Sequence, residues 1–193
     1  MIRFRFLLLI SLLLVPLAGH GGRQAPHPVA GYGIVIIPVA SSFESLALYE
    51  LPGIGPAVKV HLADVPTLAP SVTVKTGSVA LAVMSVREGW LRIIQDTAGR
   101  EAWVLLRDDW NYRPWERYLV GRSVRLEAGL KDPYYRFHTT PRDNSQPGGV
   151  IPPRVPLRVR SVDDDWIETV TASHLAEWFR WRDGDGRLLV TVQ

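Results

Sequence analysis

The sequence predicts an all-β protein made from one small unit used twice, and three observations carry that reading. Val79-Ala80-Leu81-Ala82-Val83-Met84-Ser85-Val86-Arg87-Glu88-Gly89-Trp90-Leu91 aligns without a gap on Val155-Pro156-Leu157-Arg158-Val159-Arg160-Ser161-Val162-Asp163-Asp164-Asp165-Trp166-Ile167. A second match follows at nearly the same spacing, Trp103-Val104-Leu105-Leu106-Arg107-Asp108 against Trp178-Phe179-Arg180-Trp181-Arg182-Asp183. Elsewhere the apolar residues fall in short runs between turn formers, with no long stretch of helical period. An internal repeat constrains architecture more than any single motif does.

Each element follows from its own pattern. Ile34-Val35-Ile36-Ile37 is a strand stopped by Pro38, and Leu46-Ala47-Leu48-Tyr49 is a second, ended by Leu51-Pro52-Gly53. Val58 to Leu62 and Val72 to Lys75 alternate apolar with polar, the signature of half-buried strands. The repeated strand Val79–Val86 turns at Glu88-Gly89 into Trp90–Ile94, and Asp96–Arg100 turns into Ala102-Trp103-Val104. Between Asp108 and Gly121, Pro114 forbids a long helix but allows a short helical turn capped by Asp108 or Asp109. The second unit opens with Val124-Arg125-Leu126. Tyr135–His138, a loop over residues 142–153, the repeated strand, Trp166–Val170 and Trp178–Trp181 follow, and Arg187–Val192 closes the chain. The expected boundaries are a signal peptide at 1–19, a flexible spacer at 20–32, a first unit at 33–108, a linker at 109–121 and a second unit at 122–193.

The start of the chain carries the compartment. Met1-Ile2-Arg3-Phe4-Arg5 is basic, Phe6 to Leu17 is almost wholly apolar, and small residues follow. That run is shorter than the ~20 residues a membrane span needs, and its layout is that of a cleaved secretory signal. A periplasmic or secreted protein with no membrane span after cleavage is therefore expected. Removal of residues 1–19 takes away Arg3 and Arg5 and no acid, so the formal charge of +3 falls to +1. Positive charge is dispersed, mostly as Arg among acids, which gives no footprint for nucleic acid. The chain has no cysteine. Lipid attachment through cysteine and disulfide staples are both excluded, so apolar burial must hold the fold.

An alternating strand, a polar turn, Trp-hydrophobic-x-hydrophobic, a further turn and small-x-Trp-hydrophobic resembles the bacterial SH3-like family. Gly89-Trp90-Leu91-Arg92-Ile93 with Glu101-Ala102-Trp103-Val104 carries it in the first unit. Asp165-Trp166-Ile167-Glu168-Thr169 with Ala176-Glu177-Trp178-Phe179 carries it in the second. Ala102 and Glu177 stand where that family usually has Gly, and Tyr49–Val79 is longer than a minimal domain. The resemblance implies two tandem SH3-like β-barrels. It also implies cell-wall peptide, peptidoglycan or another envelope protein as partner.

Little in the sequence points to catalysis. His20, His27, His61, His138 and His174 are scattered, without metal-site spacing, and no metal or cofactor is expected. Asp183-Gly184-Asp185-Gly186 reads as a hairpin turn, since a calcium loop counted from Asp183 would run past the last residue. Asp163-Asp164-Asp165 reads as a solvated turn. Trp90, Trp103, Trp166 and Trp178 occupy repeat positions and are expected to pack in or beside the cores. Trp110, Tyr112, Trp115, Tyr118 and Trp181, with Arg113 and Arg117, lie off the repeat. They are the candidate binding residues, as an exposed platform or as a plug between the units. The expected function is a non-enzymatic exported binding module. A structural or assembly scaffold and an unrecognised hydrolase are the alternatives.

Overall fold

The computed structural model describes residues 28–39, 45–55, 57–170 and 176–193. The signal segment, His20, His27 and His174 lie outside them. The strands are Gly33–Pro38 (β1), Ser45–Leu48 (β2), Val58–His61 (β3), Ser78–Arg87 (β4), Trp90–Ile94 (β5), Glu101–Leu105 (β6) and Asn111–Pro114 (β7). After a short helix, Trp115–Leu119 (α1), come Ser123–Leu126 (β8), Arg136–His138 (β9), Pro147–Val150 (β10), Leu157–Asp163 (β11), Trp166–Val170 (β12), Ala176–Arg180 (β13) and Val190–Val192 (β14). The protein is all-β. One sheet has the order β6-β5-β4-β1-β7, another β10-β9-β13-β12-β11-β8-β14, and β2 pairs with β3. These pairings leave open edges, and no sheet closes into a barrel among the described residues. No helix among those residues is long and apolar enough to cross a membrane.

The repeat is carried into strand register. Val83, Ser85, Val86 and Arg87 lie opposite Ile93, Arg92, Leu91 and Trp90, with an irregularity between Val83 and Ser85. Val159, Ser161, Val162 and Asp163 lie opposite Thr169, Glu168, Ile167 and Trp166, with the same irregularity between Val159 and Ser161. The next hairpins match as well: Arg92 faces Trp103, and Glu168 faces Trp178. Because a one-residue slip would turn every side chain to the opposite face, this coincidence makes the two hairpins structural equivalents.

Several expectations are corrected by tertiary context. Ala82 stands at the register position that Arg158 holds in the second repeat, but the two differ in burial. Ala82 is 7% exposed because it enters a core shared with the second half, while Arg158 remains at the surface. Val155 is 40% exposed and precedes β11, whose pairing begins after Pro156, a residue with no N–H to donate. Val72–Lys75 forms no strand, only a parallel bridge from Val72 to Val192. The loop over residues 142–153 contains β10, and α1 starts after Pro114 with no side-chain cap from Asp108 or Asp109.

Two cores result. Val35, Ile37, Leu81 and Val83 face the core of the first half, whereas Ile34, Ala80 and Ala82 face the shared core with Trp115, Phe179, Trp181 and Leu188. The strands β1 and β4 are thus covered on both faces, which explains their unbroken apolar sequence. Residues 28–32, expected to belong to a spacer, are tied to both halves: Gly31 bridges to Val83, and Tyr32 N–H donates to Val83 O at 2.8 Å. Ala30 N–H donates to Gly186 O at 2.8 Å, and Leu188 N–H donates to Pro28 O at 3.0 Å.

Candidate functional site

The off-repeat aromatics do not form one surface. Trp115, Tyr118 and Trp181 are 2%, 2% and 1% exposed and meet in the shared core. The Trp115 ring lies 5.7 Å from Tyr118 and 5.3 Å from Trp181. The Trp115 indole donates to Ala30 O and the Trp181 indole to Asp164 O, both at 2.8 Å. Tyr118 is stacked by Arg122, 4.0 Å from the ring centre, and burial pushes its phenol pKa up. Trp110 belongs to the first core, with Tyr112 half-buried against it. Burial raises the Tyr112 phenol pKa, and Glu116 raises it further. Arg113 and Arg117 are exposed. Of the two arrangements anticipated for these seven residues, the interior one describes Trp115, Tyr118 and Trp181. A platform could draw only on Tyr112, Arg113 and Arg117.

Trp110 lines a concavity of about 350 Å³ with Leu46, Tyr49 and Val104, and two smaller grooves lie at the repeat tryptophans Trp90 and Trp166. In the second half, Pro133, Tyr134, Arg136, His138, Asp143, Trp166 and Arg180 line a groove of about 190 Å³. The turn before Trp166 holds Asp164 at φ 50°, which brings β11 back onto β12 and leaves Trp166 5% exposed at the groove floor. The ring of His138, on β9, meets Trp166 edge-on at 4.9 Å, and the Arg180 guanidinium lies 4.7 Å over the same indole. Arg180 donates to both carboxylate oxygens of Asp143, at 2.9 and 2.6 Å, and to Asp165 at 3.1 Å. Such a bidentate fork fixes direction as well as charge. It holds the Asp143 carboxyl below its usual pKa and the Arg180 guanidinium above its own. Asp165 and Asp164 also bind Arg182, which donates to Gly31 O at 3.1 Å. The acidic turn that reads as solvated is therefore the middle of an Arg–Asp ladder.

The first half builds a related groove of about 200 Å³ from Leu51, Pro52, Ile54, Arg87, Glu88 and Trp90. Tyr49 meets Trp90 edge-on at 5.1 Å. Tyr49 bridges to Trp103 on β6, as His138 bridges to Trp178 on β13. The same edge-to-face pair therefore recurs at the same place in both repeats, with Tyr in one and His in the other. The surroundings differ: the first groove sets Leu51 and Ile54 beside Arg87 and Glu88, while the second sets Arg136 and the Arg180–Asp143 pair beside His138. Neither groove reaches the ~300 Å³ at which enclosed small-molecule sites begin.

His138, Ser145 and Asp143 lie close enough to invite a hydrolase reading. The His138 Nδ1 to Ser145 Oγ distance is 3.1 Å, but the Ser145 hydroxyl donates to Thr140 O. With that proton committed, Ser145 accepts from Nδ1–H, the reverse of the polarity a general base requires. Asp143 is bound to Arg180, and desolvation lowers the His138 pKa, with Arg180 adding to that effect and Asp143 opposing it. The trio does not form an activated nucleophile. No group of three metal-ligating side chains gathers among the described residues.

The signal for the second groove is partly visible in sequence, through Trp166. Its other half is not, since Asp143 and Arg180 are distant in the chain and their pairing has no local pattern. Comparison with models of known protein families and with curated proteins finds no match.

Proposed function

We propose that this chain is an exported, non-enzymatic binding module of the cell envelope, built on two SH3-like repeats, that holds an extended peptide against the grooves at Trp166 and Trp90. The observation that carries the reading is the recurrence of one aromatic pair and one groove in both repeats, each too small for an enclosed metabolite. Recurrence of the Trp motifs in one register supports the SH3-like resemblance, and that resemblance supplies cell-wall peptide or an envelope protein as the ligand class. The basic and apolar start of the chain supports export. A scaffold is the second reading, and burial of Trp115, Tyr118 and Trp181 favours it, because it locks the halves into one body.

Cosedimentation with purified peptidoglycan sacculi, together with affinity capture from envelope extract, tests the proposal. Tyr134→Ala and Arg136→Ala, both on the rim of the second groove, are expected to weaken capture about tenfold with little change in melting temperature. The same variants capturing as the parent does would remove the groove. Absence of any captured ligand would leave the scaffold reading.

A further inference from the structure

Arg180 in the second groove is held from two sides, and the two sides differ. On the framework side its guanidinium lies 4.7 Å over the Trp166 indole and donates to Asp165, in the turn before β12, at 3.1 Å. The other edge, Nε and one terminal nitrogen, holds both oxygens of Asp143 within the groove lining. Asp143 belongs to no strand. It sits in the loop between β9 and β10, in a turn closed by Ser145 N–H donating to Arg142 O at 3.1 Å. Arg142 N–H donates to Thr140 O at 2.8 Å, so the loop tip carries hydrogen bonds of its own.

Exposure separates the two partners. The Arg180 side chain is 18% exposed, whereas that of Asp143 is 73% exposed. An ion pair with so wet a partner contributes little to stability, because water screens it and a loop tip must be ordered to make it. Its geometry is nevertheless the one by which arginine recognises a carboxylate, two parallel N–H donors on two oxygens. A carboxylate from outside would make the same two bonds, leave Asp165 in place and keep the charge at Arg180 unchanged. Asp143 would pass into the water it already meets. Pro133, Tyr134 and Trp166 line the groove beside this fork and offer apolar surface to the rest of such a ligand. In the first half Leu105 lies opposite Trp90, where Arg180 lies opposite Trp166, so the acid-binding fork belongs to the second groove alone.

We propose that Asp143 is a tethered stand-in for a ligand carboxylate, and that the second groove takes an acid-bearing peptide which displaces Asp143 from Arg180. This rests on the reading of that groove as a site for an extended peptide and adds the chemistry it selects. The loop between β9 and β10 is thereby an internal competitor that lowers affinity for every acidic ligand by the same factor. The carboxylate comes from a peptide C-terminus or from an acidic side chain, and both present the same two oxygens.

Nitrogen-15 NMR of the Arg180 Nε–Hε group, in the parent and in Asp143→Asn, tests the proposal. Asp143 is exposed, so the variant keeps the fold. Three probes are titrated at neutral pH and constant ionic strength: acetyl-Ala-Ala-Ala with a free C-terminus, acetyl-Ala-Glu-Ala amide, and acetyl-Ala-Ala-Ala amide, which has no charge. At least one acidic peptide is expected to bind Asp143→Asn about tenfold more tightly than the parent, the effect of removing one charge-assisted competitor. The uncharged amide is expected to bind both proteins equally. Which acidic peptide gains identifies the source of the carboxylate. Gain by neither acidic peptide would overturn the proposal; the peptide reading of the groove would survive if the amide still bound, and would fall with it if no peptide bound. An equal gain by the uncharged amide would also overturn it, because the loop would then obstruct the groove by bulk and not by charge.

Discussion

Trp115 shows how one side chain can belong to both halves. It follows β7 of the first half, donates to Ala30 O, and packs on Trp181 of the second. Truncating a fully buried Trp costs about 3–5 kcal/mol through lost transfer energy and the cavity left behind. Trp115→Ala is therefore expected to lower the denaturant midpoint strongly, as chemical unfolding followed by circular dichroism would show. A midpoint within error of the parent would mean that the indole is not interior. His138 gives the pH dependence of the same molecule. Desolvation, reinforced by Arg180 and opposed by Asp143, lowers its pKa from the usual 6.5, so the unfolded chain binds its proton more readily than the folded one. Stability supported by neutral His138 is present above the ordinary histidine pKa. It falls as the pH drops through about 6.5 towards the lower folded value. Melting temperatures between pH 7.5 and 5 should decline less in His138→Gln than in the parent, and an equal decline would exclude His138 as the source.

The two bulged hairpins are the elements that the sequence displayed most openly. Alternation over Val79–Val86 and Leu157–Val162 encodes which face is buried, and Trp90 and Trp166 mark where the return strand begins. What alternation could not show is burial set by the other half. Ala82 and Arg158 occupy the same register position, yet only Ala82 meets a second layer. The continuous run Ile34–Ile37 did carry that information, since a strand polar on neither face must be covered on both. The turn at Glu88-Gly89 has φ values of 47° and 82°, the two positive values a type I′ hairpin requires. A Cβ added at Gly89 would meet nothing within 4 Å. Gly89→Ala should therefore cost only the conformational penalty of about 1–2 kcal/mol. Equilibrium unfolding measures it. A loss well beyond that range would require a steric contact the turn does not have, and no loss would mean a different turn.

At the scale of the whole molecule, the missing disulfides and the shared core are one problem and its solution. A unit of ~60 residues buries only about 60% of its unfolded surface, and the chain has no cysteine with which to staple it. Packing Ile34, Ala80 and Ala82 against Phe179, Trp181 and Leu188 gives both halves an interior that neither owns. Backbone hydrogen bonds cross the same boundary: Thr73 N–H donates to Val192 O at 2.9 Å, and Val192 N–H donates to Ser71 O at 2.8 Å. If this seam sets the unit of cooperativity, a cavity in the second half must be felt in the first. Leu188 is 0% exposed, and Leu188→Ala should cost about 2–5 kcal/mol. Native-state hydrogen exchange can read where that loss appears, because amides that open only by global unfolding report the global free energy. Amides of β4 and β5 should lose the same protection as those of β12 and β13. Unchanged protection in β4 and β5 would show two independently folding units in contact, with the buried tryptophans joining nothing that unfolds together.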